Sequence, residues 1–385
     1  MAAPGDVRRV TAPTRRPTVL VVGAGGYFGR QLVEELLSET SARVIAAGRD
    51  VARLEQTFCD RLGEGSRLSV TRVDLHDGST VEAALHGVGV CIGAAGPFQK
   101  LPQTLLHAAL AREVAYIDLS DDRRFCDVVL ARAADAAVPV ATGWSVLPAL
   151  VGVLARRATE AFDVVTSLDL SIAPGNRMPR AHGTVASLLA SVGRPIEVWR
   201  DGACLTVSGW SEPAPFDYPA PVGRRKGWLV DVPGLDVLGR TFGADRVEFR
   251  VGGEIGFLNV LVSALAWPVR WRIVPSWVPC AGLLRCGMAL FGRFGTSVGA
   301  VGVEASGRRA GHGVRARVTL VAEHDGHRIP VLPAVEMARH LLDGSEPRTG
   351  PLPPHDWIGW DDLLVSCERR GYRLNCAEAT MVDDG

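Results

Sequence analysis

Lysine is nearly absent from this chain: of 42 basic side chains in 385 residues, only Lys100 and Lys226 are lysines. Tyrosine is also scarce, with Tyr27, Tyr116, Tyr218 and Tyr372. A Tyr-x-x-x-Lys catalytic pair is therefore excluded, because the positions four after these tyrosines hold Gln31, Ser120, Val222 and Cys376. Net charge is missing too, since 42 acidic residues cancel the 42 basic ones. Phosphate-backbone binding draws on a clear excess of cations, so no nucleic-acid partner is expected.

The eight cysteines include no Cys-x-x-Cys, and the arginine- and proline-bearing residues 1–17 lack the apolar run of a secretory leader. Reduced thiols in a cytoplasmic protein, with a flexible tail over 1–17, is the expectation. Long hydrophobic runs are lacking as well. The charge-free stretch from Phe257 to Val269 stops at Arg270, and the next, Ile273 to Leu284, is broken by prolines. Both fall short of the about 18–20 residues of a spanning helix. The tryptophans and arginines of 257–294 suit either an internal layer or subunit interface or a peripheral membrane contact.

What the chain has in abundance is glycine placed between alternating elements. Thr18 to Val22 is apolar and β-branched, 23–29 is glycine-rich, and Arg30 to Leu37 has helical spacing. Strand candidates follow at Arg43–Ala47, Leu68–Val73, Val88–Gly93, Ala115–Leu119 and Val138–Ala141, with helices between them. That alternation predicts a doubly wound parallel sheet over 18–150. After Pro148 the pattern changes to runs of strands, Asp163–Ile172, Cys204–Ser208, Arg246–Val251, Ala300–Ala305, Val314–Glu323 and His327–Leu332, which predict an α+β domain over 151–344. Asp325-Gly326 reads as a hairpin turn joining the last two. His324 and His327 flank it, but no third ligand accompanies them and no metal site is expected. Residues 345–385 read as a proline-rich linker and a C-terminal segment.

The chemistry starts at Gly23, Gly25, Gly26, Tyr27, Phe28 and Gly29. A glycine turn that follows a strand and opens a helix lets the backbone approach a diphosphate, whose charge the helix N-terminus stabilises. At the end of the second strand, where an acidic residue would bond the ribose hydroxyls of NAD, stands Arg49. A guanidinium there pairs with a 2′-phosphate, so NADP is favoured over NAD, and Asp50 is read as a helix cap. Asp74, after the third strand, neighbours the adenine edge. Ala95, Gly96, Pro97 and Phe98 end the fourth strand and leave room for the nicotinamide ribose; Gly143 and Trp144 follow the sixth and are placed over the nicotinamide.

These motifs, with Tyr116-Ile117-Asp118-Leu119 and Gly143 to Pro148, occur in an order that resembles the saccharopine dehydrogenase-like (saccharopine reductase) family. The resemblance covers about 18–150 firmly and extends more weakly to about 344. It implies an NADP-binding Rossmann domain, a second α+β domain and a homodimer, with a small-molecule or acyl-type substrate. Lys100-Leu101 departs from the aromatic-glycine pair of many relatives, which leaves the substrate open. Candidate catalytic residues are Asp118, Tyr116, Lys100 and His182. Three readings follow: hydride transfer to a C=N bond or from the matching amine; reduction of a C=C bond in a lipid-like or polyketide substrate; and a non-catalytic nucleotide-sensing or membrane-surface protein.

Overall fold

A computed structural model describes residues 17–178, 189–280, 282 and 292–382, the last five of these as backbone. The first sheet is built from β1 (Thr18–Val22), β2 (Arg43–Gly48), β3 (Leu68–Arg72), β4 (Val90–Gly93), β5 (Ala115–Asp118), β6 (Pro139–Ala141) and a late strand, Gly350–Pro351. All pairings are parallel and the spatial order is β3-β2-β1-β4-β5-β6 followed by Gly350–Pro351. The order reverses between β1 and β4, which opens a crevice at their carboxyl ends.

Successive side chains of β1 enter different cores. Val19 and Val21 join one apolar cluster, Leu20 and Val22 the other. A strand that buries both faces needs no polar alternation, which is why TVLVV is continuous. The helices Tyr27–Glu39, Val51–Thr57, Gly78–Ala84, Thr104–Ala111 and Arg123–Ala133 cover the two faces.

Helix Val151–Thr159 leads into the second sheet. Its central strand β7 (Val164–Pro174) pairs antiparallel with β13 (Gly299–Arg309) and parallel with β12 (Arg246–Val251). β14 (His312–Ala322) continues from β13 through Ala310 and Gly311, both at positive φ as a tight hairpin needs. β8 (Pro195–Arg200), β9 (Ala203–Ser208), β10 (Ala214–Asp217) and β11 (Arg224–Leu229) extend the other side. The architecture is an α/β fold, a Rossmann-type sheet with a second mixed sheet. One apolar cluster runs from Val19 through Leu154 to Val247 and Val301, so the two sheets share a core.

Two expectations fail. Asp325-Gly326 is no hairpin turn: Asp325 is left-handed, and Gly326–Val331 winds as a 3₁₀ helix into helix Leu332–Asp343. Pro330 cannot donate to a ladder, and 331–338 are buried in an unbroken run rather than in the alternation of a half-buried strand. The segment 345–385, which reads as a proline-rich linker and a C-terminal segment, is instead built into both sheets. Gly350–Pro351 enters the first sheet, helix Trp360–Arg369 packs on the core through Leu363 and Cys367, and Tyr372–Val382 pairs with β14 in the second. Among the described residues no helix is long and apolar enough to cross a membrane.

Candidate functional site

The glycine turn is held by backbone alone. Gly23 and Ala24 both donate to the Ala47 carbonyl, at 2.9 and 3.1 Å, and Gly26 donates to the Gly23 carbonyl at 2.9 Å. Gly23 has φ +89°, and a Cβ there would lie 2.5 Å from the Ala95 nitrogen; one on Gly29 would lie 2.1 Å from the Gly23 oxygen. These two glycines let three backbone segments meet. Gly25 and Gly26 serve the open side. Gly26 is the N-cap of helix Tyr27–Glu39, with no capping side chain and no acidic residue in the first turn. Its first N–H groups and the positive end of its dipole are thus left for an anion, a donor set that fits a dinucleotide diphosphate.

Tyr27 and Phe28 pack edge to face at 5.2 Å, and Phe28 leans on the core. The Tyr27 hydroxyl is buried without a partner within the protein, and burial raises its pKa. His327, from the 3₁₀ helix, stands 6.1 Å from its ring. Arg328 beside it clamps Glu34 and Glu35 at 3.0 and 2.8 Å, so this segment is fixed against the cofactor helix. The contact is not legible in the sequence, where His327 to Leu332 reads as a strand.

At the other end of the crevice Arg49 is exposed, with no ion-pair partner among the described residues. Asp50 is a cap, since its carboxylate accepts from the Arg53 nitrogen at 3.0 Å. Arg72, overlooked in the sequence, ends β3 in register with Gly48 and brings a second guanidinium to the same sheet edge. The signal was there: it closes the strand that neighbours Arg49. Asp74 is half-buried and uses one oxygen to accept from the His76 nitrogen at 3.0 Å.

The crevice floor is small. β4 ends at Gly93; Ala94 donates to the Val22 carbonyl at 2.8 Å, Ala95 is half-buried, Gly96 and Pro97 are exposed, and a Cβ on Gly96 would meet nothing within 4 Å. Phe98 turns away and packs edge to face on Phe125 at 5.2 Å, in the core rather than over a cofactor. Lys100 is exposed at the end of the 3₁₀ turn Phe98–Lys100.

Asp118 has no exposed surface. One oxygen accepts from the Ser120 and Gly143 nitrogens, each at 2.9 Å, and the other from the Thr142 hydroxyl at 2.8 Å. Burial raises its pKa against the pull of those donors. A carboxylate so enclosed braces the β5 and β6 loops and does not reach a substrate. Tyr116, equally buried, lies in the core beneath. Gly143 takes φ +66° to present its N–H, and Trp144 follows into the core, 1% exposed and 5.9 Å from the Trp357 ring. It does not cover the crevice. Trp144 instead touches a cavity of about 250 Å³ lined also by Asp127, Leu130, Val237 and Leu352, which includes no residue of the glycine turn. His182 lies outside the described residues. No group of three or more potential metal ligands gathers among the described residues.

The matching family model is the saccharopine dehydrogenase NADP binding domain, over residues 19–138. Among solved structures, apo saccharopine dehydrogenase (L-Glu forming) from Saccharomyces cerevisiae aligns at TM-score 0.67 with 14% identity, covering 94% of this chain and 100% of that one. GenD2 from gentamicin A biosynthesis, in complex with NAD, aligns at TM-score 0.43 with 14% identity, over 97% of this chain and 100% of that one. A short-chain dehydrogenase/reductase from Veillonella parvula, in complex with NADP, aligns at TM-score 0.23 with 17% identity, over 26% and 46%. No curated protein matches the chain. Residues 19–138 thus match the NADP-binding domain of the saccharopine dehydrogenase type, and the fold of the chain is similar to that of saccharopine dehydrogenase.

Proposed function

We propose that this protein is an NADP(H)-dependent oxidoreductase acting on a carbon–nitrogen bond, reducing an imine or iminium or oxidising the matching amine. The observation that carries the reading is a nucleotide crevice whose floor, among the described residues, carries no acid–base side chain. Its floor is Ala94 to Gly96, the Asp118 carboxylate is withdrawn beneath it, and the Tyr-x-x-x-Lys pair is missing from the sequence. An iminium carries its own activating charge and accepts a hydride without a protein acid, whereas a carbonyl needs one.

When bound, the dinucleotide supplies or accepts the hydride. The chain's part is placement. The open helix N-terminus at Gly26 holds the diphosphate, and Arg49, with Arg72 alongside, pairs with the 2′-phosphate. Asp118 acts as a positioning residue by fixing Ser120, Thr142 and Gly143 around the crevice. Lys100, exposed just beyond, is a cation available to a substrate carboxylate.

The stretch beginning at Phe257 does not favour the enoyl-reductase alternative. Among its described residues Phe257, Val260, Leu261, Trp267, Trp271 and Ile273 are more than half exposed, and Val262, Leu265 and Trp277 pack on the core. The test is NADPH consumption with a panel of imines formed from oxo acids and amines, set beside enoyl thioesters. Turnover of imines alone supports the reading; turnover confined to enoyl thioesters overturns it.

A further inference from the structure

Helix Gly256–Arg270 has the wrong side out. Its inner face is pinned by polar contacts, with the Asn259 amide donating to the Gly253 carbonyl at 2.8 Å and the Ser263 hydroxyl to the Trp210 carbonyl at 3.1 Å. Ala266 and Val269 complete that face, and Gly193 approaches so closely that a Cβ there would lie 2.4 Å from the Ala266 oxygen. The helix cannot roll to hide its other face. That face carries Val260, Leu261, Ala264, Trp267 and Trp271 at helical spacing, and Ile273 follows. The five large side chains among these are 53 to 69% exposed. Trp267 and Trp271 stand edge to face at 5.1 Å at the C-terminal end, next to Arg270 and Arg272.

We propose that this face docks on an anionic lipid bilayer, lying in its surface with the tryptophans at headgroup level. Charge decides the occupant. From Ile255 to Val303 the sequence holds no carboxylate, whereas Arg270, Arg272, Arg285 and Arg293 are all cations. A two-fold contact with a second copy would set Arg270 and Arg272 against their own images with no carboxylate in the stretch to pair them. An anionic surface answers both features at once: it solvates the apolar stripe and attracts the guanidinium groups. The helix is 15 residues long, which suits lying on a bilayer and is too short to cross one. This docking is independent of the reaction proposed above.

Co-sedimentation of the full chain with phosphatidylcholine vesicles, with and without phosphatidylglycerol, tests it, with tryptophan emission read in parallel. The expected result is binding to the anionic vesicles at least about tenfold stronger than to the neutral ones, with a blue shift of emission. The double variant Leu261→Glu, Trp267→Glu is expected to lose about tenfold or more of that binding. NADPH titration and light-scattering mass are measured on the same samples. If the double variant no longer binds NADPH, the milder Trp267→Ala, Trp271→Ala pair replaces it. Absence of wild-type binding, binding unchanged by the substitutions, or a dimer that the substitutions split into monomers each overturns the proposal, the last by assigning the face to a second copy.

Discussion

Gly25 separates two roles that glycine plays in one turn. Gly23 and Gly29 are required by packing, because any Cβ there meets backbone, but a Cβ on Gly25 would touch only a Leu54 methyl at 3.4 Å. Gly25→Asp is therefore expected to fold with a melting temperature within about 2 °C of wild type. NADPH affinity is expected to fall by at least about tenfold, because a carboxylate now stands where the diphosphate sits. Fluorescence titration and thermal unfolding on one sample read both. Arg49 makes a second test at this scale. It is exposed and unpaired among the described residues, so its removal costs no internal contact. Arg49→Ala is expected to weaken NADPH binding about tenfold and leave NADH binding within about twofold, the size of one charge-assisted hydrogen bond. Equal losses for both nucleotides would show that Arg49 does not read the 2′-phosphate. The glycines and Arg49 were legible because the turn and the strand end have fixed spacing. Asp118, Phe98 and Trp144 were not: position after a strand places a residue at the crevice edge but does not decide whether its side chain turns in or out.

Among elements, helices Leu332–Asp343 and Trp360–Arg369 are joined by a buried charge network. The Glu336 carboxylate, fully enclosed, accepts from the Ser366 hydroxyl at 2.6 Å and pairs with Arg370 and Arg339, each at 3.0 Å. Burial alone pushes the Glu336 carboxyl up, but Ser366, Arg370 and Arg339 outweigh it and hold its pKa below the ordinary value. A group depressed in the folded state contributes stability above its unfolded pKa of about 4.3 and loses it as pH falls through the folded value. Glu336→Gln is expected to cost about 3 kcal/mol at neutral pH, because Arg370 keeps Glu35 and Glu39 but loses its most buried partner. Wild type is then expected to lose more stability than the variant as pH drops below about 5, a difference read from urea unfolding across pH. The first helix is legible in the sequence over Pro333 to Leu342 with Gly344 closing it at φ +77°, whereas Trp360–Arg369 falls in a segment that reads only as a C-terminal piece. The 3₁₀ turn before the first helix is not legible. Asp-Gly carries a hairpin signal, and only the close approach of Gly326 to Gly299, where a Cβ would lie 2.3 Å from the Gly299 nitrogen, turned the chain elsewhere.

For the whole molecule, the C-terminal residues tie both sheets together. Trp357, Leu363, Cys367 and Tyr372 are buried, and Tyr372–Val382 covers the edge of β14 from Gly313 to Ala322. At about 1.5–3 kcal/mol for each large apolar side chain, these burials rival the about 5–15 kcal/mol by which a protein is stable at all. A chain ending at Gly344 is therefore expected to lose cooperative unfolding and to aggregate through the bared edge, as circular dichroism and sedimentation would show. A soluble, cooperative fragment would refute this. Local sequence pattern was enough for the order of strands and helices over about 18–145, the glycine turn, the arginine after the second strand and the nucleotide class, because each depends on local periodicity or on spacing within one turn. The tertiary structure alone decided that the last segment belongs to both sheets, that Asp118 is a brace, that His327 meets Tyr27 and that the tryptophan-bearing helix faces outward. Those depend on contacts between residues far apart in the chain, and such contacts leave no trace in local pattern.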